Sequence, residues 1–154
     1  KTFGMSPSHT FALSALGIVF LNVGCVLAGL LVDRIGAWRA VLVYSLLLPV
    51  GIAVLYASLI AGGVWLGAAY AIAGLSCGVV GAVPSVMVSL FPAPVRVSGI
   101  SFTYNIAYAL WASTTPLMLI ALMPTSPWIC VFYCMVIGAV GVASAVRFAN
   151  RPVF

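Results

Sequence analysis

Few side chains in this sequence could do chemistry, and most of them fall in one stretch. Tyr104, Asn105, Tyr108, Trp111, Ser113, Thr114 and Thr115 follow one another in otherwise apolar sequence. On a helix, Asn105, Tyr108 and Ala112 share one face, with Tyr104 and Trp111 beside it. An amide, a phenol and an indole recognise rather than break bonds. Together they can hold a zwitterion or a carboxylate, and the rings offer cation–π contact to a quaternary amine. The alternative is that Tyr and Trp anchor at a membrane interface while Asn105 bonds a neighbouring helix. The mid-span position of Tyr108 and Trp111 argues against anchoring. Asn22 is a similar candidate, Tyr70 and Ser76 are weaker ones, and His9 reads as a loop residue.

Bond-making chemistry has little to work with. Asp33 is the only acidic residue, and one carboxylate in a turn cannot act as both acid and base. No Ser/His or paired-Asp arrangement offers an alternative, so an enzyme is not expected. Cys25, Cys77, Cys130 and Cys134 all lie in apolar runs. They read as small buried apolar side chains, and Cys130 and Cys134, one helical turn apart, make a poor metal site. Neither a metal nor a cofactor is expected.

The elements that position these groups follow from composition. The 154 residues are 65% hydrophobic and 5% charged, with a mean hydropathy of +1.31. A soluble domain carries roughly 25% charged residues, whereas a charge at a bilayer centre costs at least about 2.5 kcal/mol. The chain is therefore expected to be an all-α, multi-pass membrane protein. Its net charge of +5 comes from basic residues scattered singly, with no patch for nucleic acid. About 20 residues cross the hydrocarbon core, and the charges and breakers divide the chain accordingly. The spans expected are about 9–32, 39–61, 64–90, 98–122 and 128–147, with breaks at Asp33–Arg39, Gly62-Gly63, Phe91–Pro94 and Pro124–Pro127. The start, Lys1–Ser8, shows no cleavable signal pattern.

Charge also orients the spans. With the 33–39 turn inside, Arg34, Arg39, Arg96, Arg147 and Arg151 all fall on the cytoplasmic face and Lys1 outside, as the positive-inside rule asks. The N-terminus is then external and the C-terminal tail, 148–154, cytoplasmic. Small residues at four-residue spacing, Gly74 and Gly78 in span three and Ala139 and Ala143 in span five, mark expected helix contacts. Pro49, Pro84 and Pro116 lie within spans, where neighbouring helices can accommodate a kink. Pro84 is the one read as a hinge.

Two stretches carry a family resemblance. Gly29-Leu-Leu-Val-Asp33-Arg34-Ile-Gly36, followed by Arg39, resembles the loop signature of the major facilitator superfamily. In that reading Gly29 lets the helix end pack closely, Asp33 accepts from an adjacent helix N-terminus, Arg34 pairs across the interface and Gly36 permits the turn. Ala37 and Trp38 stand where the family places further basic residues, which fits the more degenerate copy in the second half of such transporters. A charged turn kept only for topology is the alternative. The second stretch, Leu90-Phe91-Pro92-Ala93-Pro94-Val95-Arg96-Val97-Ser98-Gly99-Ile100-Ser101 with Tyr104-Asn105, is similar to the start of the penultimate helix in the metabolite:proton symporter branch. That branch includes proline/betaine, citrate, oxoglutarate and shikimate permeases.

The resemblance implies that the five spans match helices 8–12 of a twelve-helix carrier in the cell (inner or plasma) membrane. It implies proton-coupled uptake of a small metabolite or osmolyte by alternating access around a midplane site. Asn22, Tyr104, Asn105, Tyr108 and Trp111 would line that site, and Gly29, Asp33, Arg34, Gly36, Arg39 and Arg96 would serve the gating turns. The implied partners are the solute, protons, the lipid bilayer and the missing N-terminal helices. No Asp or Glu lies within a span, so coupling residues are expected in those helices. The chain, which opens on Lys1 rather than Met, is expected to be part of a longer protein. A small helical membrane subunit with a structural role is the competing reading.

Overall fold

The computed structural model describes residues 6–122, 126 and 128–148. Helix α1, Pro7–Ile35, opens at Ser6, whose side chain accepts from the His9 amide, with Pro7 at the first helical position. Both are favoured starts: the serine satisfies a free amide and the proline has none to satisfy. His9 therefore belongs to the first turn of α1 and not to a loop. After Gly36 comes α2, Ala37–Ile60, which runs through Pro49. The Gly62-Gly63 pair, both with positive φ (86° and 78°), turns the chain into the third span. At the other end of that span, a short 3-10 turn at Ala93–Val95 leads into α5, Arg96–Leu122. The last helix is α6, Ile129–Phe148, ahead of which Ser126 accepts from the Trp128 amide.

Among the described residues there is no strand. Five segments are long and apolar enough to cross a membrane: Pro7–Ile35, Ala37–Ile60, Leu66–Leu90, Ala93–Leu122 and Ile129–Arg147. The chain is thus an all-helical protein of multi-pass membrane type, with span limits within a few residues of those read from charge. The expected turn at 124–127 lies outside the described residues except for Ser126, as do Lys1 and Arg151.

The third span departs from expectation. It is two helices, α3 (Leu66–Ser76) and α4 (Val79–Leu90), joined at Cys77-Gly78. There the amides reach back three residues, Gly78 to Leu75 at 3.1 Å and Gly81 to Gly78 at 2.9 Å, a tightening that keeps the backbone satisfied. Pro84 lies inside α4, so the break falls at the small residues and not at the proline.

Lipid offers no hydrophobic drive between helices, so close packing has to hold them. Gly24 sits so near α3 that a Cβ there would stand 2.6 Å from the Leu75 carbonyl oxygen. Gly74 is pressed in the same way against the Gly17 backbone, and Gly78 and Gly81 against Gly24 and Cys25. The Tyr44 hydroxyl donates to the Gly24 carbonyl at 3.0 Å, tying α2 to α1. Ala28, Ala40, Val41, Tyr44, Ala82, Val86 and Ala145 form a core where α1, α2, α4 and α6 meet. On α6 the contact face is Gly138, Gly141 and Ala145. Ala139 and Ala143, the expected pair, are exposed instead: the helix is rotated by about one residue, or 100°, from that reading.

Candidate functional site

The helix richest in polar and aromatic groups is also the least packed. No described residue of α5 is buried, and a groove of about 990 Å3 opens between it, α4 and α6. From α5 come Thr103, Tyr104, Ala107, Tyr108, Trp111, Ala112, Thr115 and Pro116. Their spacing of three and four residues is one helical face. From α4 come Val80, Val83, Met87 and Leu90 at the same spacing, with Phe91 at one end and Ile137 of α6.

Local chemistry sets these side chains. The Tyr104 and Tyr108 rings, one turn apart, stack at 5.4 Å between centroids and 24° between planes. Trp111 extends the aromatic wall by the next turn. The Thr115 hydroxyl pairs with the Tyr133 hydroxyl of α6 at 2.7 Å, a polar tie between these helices. At the opposite end the Arg96 Nε donates to the Phe91 carbonyl at 3.1 Å. That bond closes the turn into α5 and sets Phe91, whose ring lies against Gly99.

Of the five residues expected to line a solute site, Tyr104, Tyr108 and Trp111 share the groove, and Ala112 and Thr115 of the same stretch join them. Asn105 lies outside it, exposed, its side-chain amide donating to the Ser101 carbonyl at 2.8 Å. Asn22 is likewise exposed on α1 and donates to the Ile18 carbonyl. Both amides spend a donor on their own helix, the competition expected of asparagine in a helix. Ser76 bonds the Ile72 carbonyl and faces Gly51, a packing role. Thr103, Ala107 and the α4 wall escaped the sequence reading. A signal existed, since 80, 83, 87 and 90 share a face, but aliphatic residues do not announce which neighbour they meet.

The turn at 29–39 holds its shape through Gly36. With φ 89° and ψ 155°, it occupies a region essentially open to glycine alone. Its amide closes α1 on the Val32 carbonyl at 2.9 Å, and its carbonyl accepts from Ala40 at 3.1 Å to open α2. Asp33, Arg34 and Arg39 are exposed, and the side chains of Asp33 and Arg34 bond no other described residue. The contacts expected of them at a neighbouring helix are absent among the described residues. Gly29 also differs from expectation: a Cβ there would meet nothing within 4 Å, so close packing does not require a glycine at this position. Comparison with protein-family models, curated proteins and solved structures finds no match to this chain.

Proposed function

We propose that the chain is the C-terminal portion of a secondary active transporter of the major facilitator type. It would serve proton-coupled uptake of a small metabolite or osmolyte, such as proline, betaine or a carboxylate, across the cell membrane. The observation that carries the reading is the groove itself: membrane-length helices leave an aromatic-lined opening of about 990 Å3, at the upper end of the size range of small-molecule sites. The sequence signatures at Gly29–Arg39 and Leu90–Asn105 support the same reading, and the distribution of Arg supports a cytoplasmic 33–39 turn with the N-terminal end external. Substrate contact is assigned to Tyr104, Tyr108 and Trp111. Asn105 and Asn22 are kept as residues that a partner helix could recruit.

A second reading has one observation in its favour. The lack of any buried residue on α5 suits a membrane subunit whose fifth span completes itself on another protein. The coding sequence upstream separates the two: about seven further spans for a carrier, none for a subunit. Proteoliposomes give the functional test. The full-length carrier is expected to show saturable uptake of a zwitterion or carboxylate that falls when the pH gradient is collapsed. The 154-residue chain alone shows none. Absence of uptake by the full-length protein across both solute classes would overturn the proposal.

A further inference from the structure

Two positions of α1, Asn22 and Gly29, are explained by nothing within the described chain. Asn22 stands near the middle of Pro7–Ile35 and is exposed. An asparagine amide offers two N–H groups and an oxygen with two lone pairs. One N–H is taken, by the Ile18 carbonyl at 2.8 Å. The second N–H and Oδ1 meet no described residue, at a depth where lipid offers no hydrogen-bond partner. Gly29 is the counterpart in shape. A Cβ there would have nothing within 4 Å, so its own bundle does not need the glycine.

The two positions belong to one face. Seven residues apart, they differ by about 20° around the helix axis, and Ala15 lies as far on the other side of Asn22. Ile18 and Val26, both exposed, flank Asn22 within about 40°. Leu13 and Gly24, which α1 buries, lie roughly opposite. The face thus points away from the bundle, small at two levels, apolar between them and polar at one point. A second copy inserted in the same orientation presents the same face at the same depth, so a two-fold pairing brings amide to amide. Each Oδ1 then accepts the N–H that the other has to spare. Asn105, also exposed, does not match this depth. α1 and α4 run in the same direction, Gly24 beside Gly78 and Cys25 beside Gly81, so α1 ends on the side where α5 begins. Asn22 lies about 20 Å along α1 from Ile35, and Asn105 about 14 Å along α5 from Arg96.

We propose that the chain dimerises through α1, as a parallel two-fold pair in which Asn22 of one copy bonds Asn22 of the other. The helices draw together at Ala15 and Gly29, where no side chain beyond a methyl group stands between them. The inference goes beyond the solute reading and does not depend on it, since no residue of α1 lines the groove.

The test follows association in liposomes of neutral lipid, by energy transfer between fluorophores on the C-terminus as the protein is diluted with lipid. The full-length protein and the 154-residue chain are both expected to pair reversibly. Asn22→Leu should weaken the pair about tenfold, the loss of a strong interhelical hydrogen bond. Asn22→Gln keeps an amide and should retain most of the association. Gly29→Leu should weaken the pair at least as much while helix content and melting temperature hold, because its own bundle has room for the side chain. Asn105→Leu should change nothing. A monomer at every dilution overturns the proposal, as does a pair that Asn22→Leu or Gly29→Leu leaves intact. An Asn22→Gln pair as weak as that of Asn22→Leu overturns it too. Pairing by the 154-residue chain but not by the full-length protein would give this face to other helices of the same protein, and the second copy would be ruled out.

Discussion

The two halves of this bundle solve the same problem in opposite ways. α1 and α3–α4 meet glycine to backbone: Gly17, Gly24, Gly74, Gly78 and Gly81 bring main chains into direct contact. α5 carries Tyr104, Tyr108 and Trp111, exposed by 38%, 63% and 57%, and stands off from α4 across an open groove. Small residues convert helix length into packing, whereas large aromatic ones hold helices apart and leave space for something else. In lipid the first arrangement is a scaffold. The second leaves an open groove of about 990 Å3.

The comparison breaks first at the glycine seam. Gly74→Leu places a side chain where the Gly17 carbonyl stands, with the Leu21 amide nitrogen 3.1 Å from its Cβ. Backbone cannot swing aside as a side chain can, so the helices must separate. The expected cost is about 3 kcal/mol or more, beyond the usual range for overpacking. A denaturation titration in mixed micelles should show it. Leu110→Ala on exposed α5 (60% exposed) should cost below about 1 kcal/mol, because little there is removed from the surroundings. Equal losses at the two positions would erase the distinction between the halves.

A smaller effect is expected at the turn that joins the first two helices. Gly36→Ala keeps every neighbour, yet no alanine tolerates φ 89° with ψ 155° easily. About 1–3 kcal/mol of strain is expected, read in the same titration. Asp33→Asn beside it, on an exposed residue with no described partner, should be nearly silent for stability. The pair separates a turn held by backbone conformation from one held by charge.

Much of the packed half is legible in the sequence, because lipid and charge speak through composition. Arg34, Arg39, Arg96 and Arg147 bound the spans, and Gly62-Gly63 marks a turn whose positive φ values explain the glycines. What stays hidden is relational. The break at Cys77-Gly78 depends on Gly24 of another helix pressing against Gly78, while Pro84, the louder local signal, sits in continuous helix. The rotation of α6 that chooses Gly138 and Gly141 over Ala139 and Ala143 is decided by Ser45 and Pro49 of α2. On α5, the periodicity of Tyr104, Tyr108 and Trp111 is readable. That Asn105 turns its amide to Ser101 is a local bond that spacing alone could not rank.

The finest test uses one kind of bond in both halves. Tyr44 donates to the Gly24 carbonyl within the seam at 3.0 Å, and Thr115 shares a 2.7 Å bond with Tyr133 between α5 and α6. Removing either hydroxyl, by Tyr44→Phe or Thr115→Val, should cost about 0.6 kcal/mol, the average for such bonds between membrane helices. The consequences should nonetheless differ in kind. Around Tyr44 the glycine contacts remain, so the loss lowers global stability and leaves local opening of α1 and α2 unchanged. Around Thr115 little other packing exists to keep α5 in place, so the same loss should appear as faster amide exchange confined to 104–122. Local opening draws on whatever contacts a segment has, and α5 has few. Exchange that quickened equally in α1 and α5 for both variants would mean that the aromatic helix is held as firmly as the seam. In that case the groove would be a rigid cleft rather than an opening between a scaffold and a movable wall.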